Sequence, residues 1–189
     1  GVVGLQRSAV PADAYRSLFF FNFVDATSSV MVRATVLLSV GGFLGDVFGP
    51  TMQGCEDRDL WIRIARSYRL VGIPEPLVRY RLPGGREQLS RNVQQMERSE
   101  MKMLDLALAD APPEIAAMEP AIRSQTLKRI AMEYFGAADY EGFRRLVDKL
   151  APLGGIDAGL RARVWLSYAP ATVRLARAIR GISRPGNFR

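Results

Sequence analysis

The sequence predicts an α/β fold over its first part and an all-helical appendage over the remainder. Three observations carry this. Up to about Arg81, short apolar runs alternate with Gly and Pro punctuation. A segment of helical period lies between such runs. From about Gln88 the strand signals stop and long helical patterns follow one another. The boundary falls near residue 90, dividing the chain into 1–90 and 91–189.

In chain order, the run 18–24 (Leu-Phe-Phe-Phe-Asn-Phe-Val) reads as a buried strand or the wall of a pocket. It is far shorter than the ~20 apolar residues a bilayer-spanning helix needs. Val30-Met31-Val32 reads as a buried strand. Val36 to Val40 reads as a short helix stopped by Gly41-Gly42, because Gly accepts the left-handed conformation at a helix C-terminus. Over 56–68, Trp61, Ile64, Ala65 and Tyr68 fall at i, i+3, i+4 and i+7, one apolar stripe of a helix. Leu70 to Ile73 and Leu77 to Leu82 read as two strands split by Pro74-Glu75-Pro76. Helices are predicted over 88–110, 120–136, 139–151, 159–168 and 171–182, punctuated by Pro112-Pro113, Gly136, the 152–155 Pro-Leu-Gly-Gly run and Pro170.

Composition narrows the chemistry. The 189 residues are 48% hydrophobic, enough for a core. There is no His, which excludes within this sequence a Ser-His-Asp triad, a Cys-His pair and any His-ligated metal. Acid–base chemistry falls to Asp, Glu, Lys, Tyr or the single cysteine, Cys55. One cysteine forms no internal disulfide and requires no oxidising compartment. Residues 1–14 lack the basic region and apolar stretch of a secretory leader.

The net charge of +7 is unevenly placed. No acidic residue follows Asp157, whereas seven Arg do, at 161, 163, 174, 177, 180, 184 and 189. Without them 19 of the 26 basic residues remain, against 19 acids, so the body is neutral. Nucleic acid is therefore not an expected partner. Within the tail, Leu175, Ile179 and Ile182 recur at helical spacing opposite Arg174, Arg177, Arg180 and Arg184. Such a basic amphipathic helix over 171–184 suits an anionic membrane surface, and equally suits a terminal helix packed on the body with its arginines in water. The first reading places the protein in the cytoplasm, peripheral to the inner face of the plasma membrane.

Glu56, Asp57 and Asp59 share the first turn of the 56–68 helix. Acids there complement the helix dipole, worth roughly 0.3–1 kcal/mol each, and that alone accounts for them. The same placement also holds a carboxylate rigidly at a cleft edge, with Trp61 one turn along from Asp57. The dipole favours the ionised form that a general base requires. Residue chemistry leaves both readings open.

Four pieces occur in order over about sixty residues: the 28–33 run Ser-Ser-Val-Met-Val-Arg; Val40-Gly41-Gly42-Phe43; Cys55 to Trp61; and the 74–81 run Pro-Glu-Pro-Leu-Val-Arg-Tyr-Arg. In this order and spacing the chain resembles the acceptor-side, C-terminal part of the family 2 glycosyltransferases, which have the Rossmann-like GT-A fold. The resemblance implies transfer of a sugar, with inversion, from a nucleotide-sugar to a hydroxyl of a sugar or lipid-linked acceptor. It makes Asp57 the general base, supported by Glu56, with Trp61 lining or buttressing the acceptor pocket. Asp59, Ser29 and Arg81 become substrate-side residues, Asp59 in a capping or positioning role, and Arg81 and Arg86 are candidates to reach a diphosphate electrostatically. It also implies a divalent cation, Mg or Mn, held in a nucleotide-binding half with no counterpart here, so that the sequence, which opens on Gly1, is expected to be an incomplete part of the enzyme. Two features depart from the pattern. Leu44-Gly45 follows Gly-Gly-Phe where relatives carry Asp-Glu, and the 82–85 run Leu-Pro-Gly-Gly follows Arg81 where relatives often carry His. The alternative reading is a non-catalytic helical interaction or membrane-docking module on a degenerate transferase remnant.

Overall fold

The computed structural model describes residues 9–24, 27–44, 54–78, 92–169 and 171–173. Among these residues 67% are helical and none forms a strand. The helices are α1 (Ala14–Phe20), α2 (Ala34–Ser39), α3 (Glu56–Ser67), α4 (Val93–Ala109), α5 (Pro113–Ala116), α6 (Glu119–Gly136), α7 (Tyr140–Leu150) and α8 (Ala158–Ser167), with 3₁₀ turns at Thr27–Ser29 and Ala151–Leu153.

The expected α/β, GT-A-like part is thus corrected: the described residues are all helical. Leu18 to Phe20 close α1 rather than opening a strand. Residues 30–32 and 70–73 run without regular structure, and Met31 is 99% and Val71 74% exposed. The physical reason is that a short apolar run specifies a strand only through a ladder partner. Unpaired runs of three or four residues gain no inter-strand hydrogen bonds to offset their ordering. Residues 79–82, the end of the second predicted strand, lie outside the described residues.

The described chain divides into two compact units within α6, one reaching Ile122 and one from Arg123 onward. The first is built on α1, α3 and α4. Asp13 caps α1 by accepting a hydrogen bond from Arg16 N at 2.9 Å, and the helix buries Leu18 and Phe19. Leu60, Trp61, Ile62 and Ile64 of α3 meet Met103, Leu104 and Leu108 of α4 in the same core. Each fully buried aliphatic side chain there contributes roughly 1.5–3 kcal/mol. α3 is buried around much of its circumference at its N-terminal end, whereas its C-cap, Tyr68, is exposed. α2 ends where Gly41 (φ +79°) and Gly42 (φ +63°) adopt the left-handed conformation, as their residue type suggests.

The second unit packs the later part of α6 with α7 and α8. Phe143, Leu146, Val147 and Leu150 lie at i, i+3, i+4 and i+7 of α7, and all are buried. Leu127, Ile130 and Tyr134 of α6 and Leu160 of α8 are buried in the same unit. Asp139 caps α7 through Gly142 N at 2.9 Å, and Asp157 caps α8 through Leu160 N at 2.7 Å. Gly142 admits the Tyr134 ring so closely that a Cβ there would sit 2.4 Å from Cδ1.

Candidate functional site

The acid-rich start of α3 is the candidate site, and its four polar residues behave differently. Glu56 turns back on the preceding loop, where its Oε2 accepts a hydrogen bond from Gly54 N at 2.5 Å. Asp57 Oδ1 accepts one from Arg58 N at 2.6 Å. Burial pushes the Asp57 carboxyl above its usual value. The Arg58 N–H opposes that rise, and the neighbouring Glu56 charge adds to it. Desolvation thus opposes the ionised form that a first-turn helix dipole favours.

Arg58 and Asp59 point inward. Arg58 is 4% exposed; its Nε donates to Leu18 O at 2.8 Å, and its Nη1 meets Glu100 Oε1 of α4 at 2.5 Å. This buried ion pair joins α1, α3 and α4. Asp59, 5% exposed, accepts from Arg63 Nε at 2.9 Å and Nη2 at 2.6 Å. Arg63 in turn donates to Gly42 O at 2.8 Å and to Val40 O. A cation thus satisfies carbonyls at the end of α2, where the helix leaves them without internal partners. The structure places Asp59 in this clamp between α3 and α2.

Trp61 is 3% exposed and belongs to the core, its Nε1 buried with no hydrogen-bond partner. Ser29 lies exposed in the Thr27–Ser29 turn. Arg81 and Arg86, together with the amphipathic tail from residue 174 onward, lie outside the described residues. The structure therefore brings Glu56, Asp57, Asp59 and Trp61 into the first two turns of α3, with Glu56 and Asp57 half-buried and Asp59 and Trp61 inward.

An open cavity of about 700 Å³ lies at the other end of α3, lined by residues 9–15 of the α1 approach and by Ala65 and residues 68–74. Nine residues separate Glu56 from Ala65, about 14 Å of helix at 1.5 Å per residue. None of the predicted acids lines it. Tyr15 does, and burial pushes its hydroxyl upward in pKa, Arg66 opposing and Asp110 and Glu114 adding. Sequence reasoning passed over Tyr15 and Arg69 because nothing in their spacing marks a pocket wall.

Among the described residues no group of three or more His, Cys, Asp or Glu side chains is placed to hold a metal. Glu56 and Asp57 are also both engaged with backbone N–H groups. No described helix is long and apolar enough to cross a membrane. No protein-family model, curated protein or solved structure matches this chain.

Proposed function

We propose that this chain supplies the acceptor side of an inverting sugar transfer from a nucleotide-sugar donor, with Asp57 as general base. The observation that carries the reading is Asp57 itself: a partly buried carboxylate with a raised pKa, on the first turn of a helix held by two inward ion pairs. The ordered motifs around it support the same reading. In the step, the acceptor hydroxyl oxygen bonds to the anomeric carbon as the bond from that carbon to the nucleotide breaks. The hydroxyl proton passes to the Asp57 carboxylate. A raised pKa favours that acceptance, since a base works best when its pKa approaches the working pH. Glu56 holds the loop before the helix, Trp61 buttresses it from the core, and Ser29 and Arg81 face substrate. By the same resemblance, the nucleotide-sugar and the divalent cation that accompanies it are held mostly by residues outside this chain. The site of action proposed is cytoplasmic, at the inner face of the plasma membrane.

The test is sugar transfer by the full-length protein that contains this chain. Asp57→Asn is expected to abolish transfer while nucleotide-sugar binding persists; unchanged turnover removes Asp57 from the role.

A second reading, a non-catalytic helical interaction or membrane-docking module, is favoured by one observation. The cavity lies at the far end of α3 from the acids. Retained sugar transfer by variants lining the cavity, with loss in Asp57→Asn, decides against it.

A further inference from the structure

The face of α8 turned away from its own core is apolar and cationic. Inward, Leu160 and Ser167 are buried. Outward lie Arg161, Ala162, Trp165 and Leu166, with the C-cap Tyr168 beyond them. Trp165 is 80% exposed, Tyr168 69% and Leu166 43%. A helix apolar on both its inner and outer faces needs a second covering.

The composition of this face states what covers it. From residue 158 to the end there is no acid, and both charged residues within α8 are arginines, Arg161 and Arg163. Arg144 of α7 reinforces the charge. Its guanidinium lies 4.7 Å from the Tyr168 ring centroid, and its Nη1 donates to Ser167 O at 3.0 Å, so Tyr168 is held at the helix end beside a cation. Exposed Trp and Tyr flanked by Arg, with no acid within α8 and its N-cap Asp157 paired with Lys128, match the headgroup region of an anionic bilayer. There amphipathic rings sit at the apolar–polar boundary and cations meet lipid phosphate. A second copy of the chain would bring this cationic patch against itself on a two-fold contact.

We propose that the outer face of α8, with Trp165 as its anchor and Arg161 as its phosphate contact, docks the protein on an anionic lipid surface. The assignment stands on α8 and does not depend on the sugar-transfer reading or on residues 174–184.

The experiment measures binding of the full chain to vesicles of phosphatidylglycerol with phosphatidylcholine, and to phosphatidylcholine alone, by co-sedimentation and tryptophan emission. Binding is expected only with the anionic lipid, with a blue shift. Trp61 is already buried, so the shift reports Trp165. Trp165→Ser is expected to weaken binding about tenfold or more, since a tryptophan carries a large apolar area. Arg161→Gln is expected to weaken it about fivefold, the worth of one cation near such a surface. Both side chains are exposed, and circular dichroism checks that each variant folds. Equal binding by Trp165→Ser overturns the proposal. So does lipid-free self-association lost in that variant, or loss confined to an R174Q/R177Q/R180Q variant while Trp165→Ser binds normally.

Discussion

Asp59 and Arg63, four residues apart on α3, form an ion pair whose guanidinium also binds the carbonyl oxygens of Val40 and Gly42. The pair therefore closes a tertiary contact, the docking of the α2 end on α3. Removing Asp59 leaves a largely buried arginine without its counter-charge. Asp59→Ala is expected to destabilise the protein by about 3 kcal/mol. Arg63→Lys is expected to lose much of the same stability, because an ammonium cannot reproduce the fork that reaches carboxylate and carbonyls together. Urea unfolding of the variants measures both.

The Arg58–Glu100 pair is more deeply buried, with side chains 5% and 4% exposed. Arg58→Met is expected to cost about 3–5 kcal/mol by leaving Glu100 as a buried charge. Combining it with Glu100→Leu should recover most of that loss, since an apolar pair of similar volume avoids desolvating two ions. A double-mutant cycle in denaturant checks the non-additivity.

For Asp57 the folded pKa lies above the unfolded one, because burial disfavours the charge. The folded state then holds more protons than the unfolded state in the window above the ordinary carboxylate value. There, stability falls as pH rises. Asp57→Asn is expected to raise thermal stability at neutral pH, with the gain vanishing below the ordinary carboxylate range. Melting curves across pH test the sign. In the transfer assay the same variant is expected to lose about 10²–10⁴-fold in rate, the usual contribution of a positioned general base.

Ala138, between α6 and α7, has φ +64°, a left-handed conformation that costs an L-residue roughly 1–2 kcal/mol. Ala138→Gly is expected to stabilise the fold by about 0.5–1 kcal/mol after the extra backbone entropy of glycine is counted. Thermal unfolding checks it.

Gly142 has the opposite requirement. A Cβ there meets the Tyr134 ring at 2.4 Å, and that ring is buried with little room to move. Gly142→Ala is expected to destabilise by about 1–2 kcal/mol, since overpacking outweighs the gain in helix propensity. Restored stability in a double variant with Tyr134→Leu would locate the clash.

Helix positions were legible in the sequence wherever apolar residues recur at helical spacing. The 56–68 pattern became Glu56–Ser67, and the patterns at 120–136, 139–151 and 159–168 became α6, α7 and α8 within a residue or two. Capping was not read from the sequence, although Asp13, Asp139 and Asp157 each accept from a backbone N–H three residues on. The strands were not. The runs at 30–32 and 70–73 have strand composition, but a strand exists only with a partner supplied from elsewhere, and local pattern carries no record of one. The roles of the α3 acids divided in the same way. Their position on a first turn followed from local periodicity. That Asp59 faces Arg63 and the α2 carbonyls while Asp57 stays partly open depended on which side of α3 the core covered. Burial is a property of the packed molecule, and it alone turned three equivalent acids into a clamp, a loop tether and a candidate base.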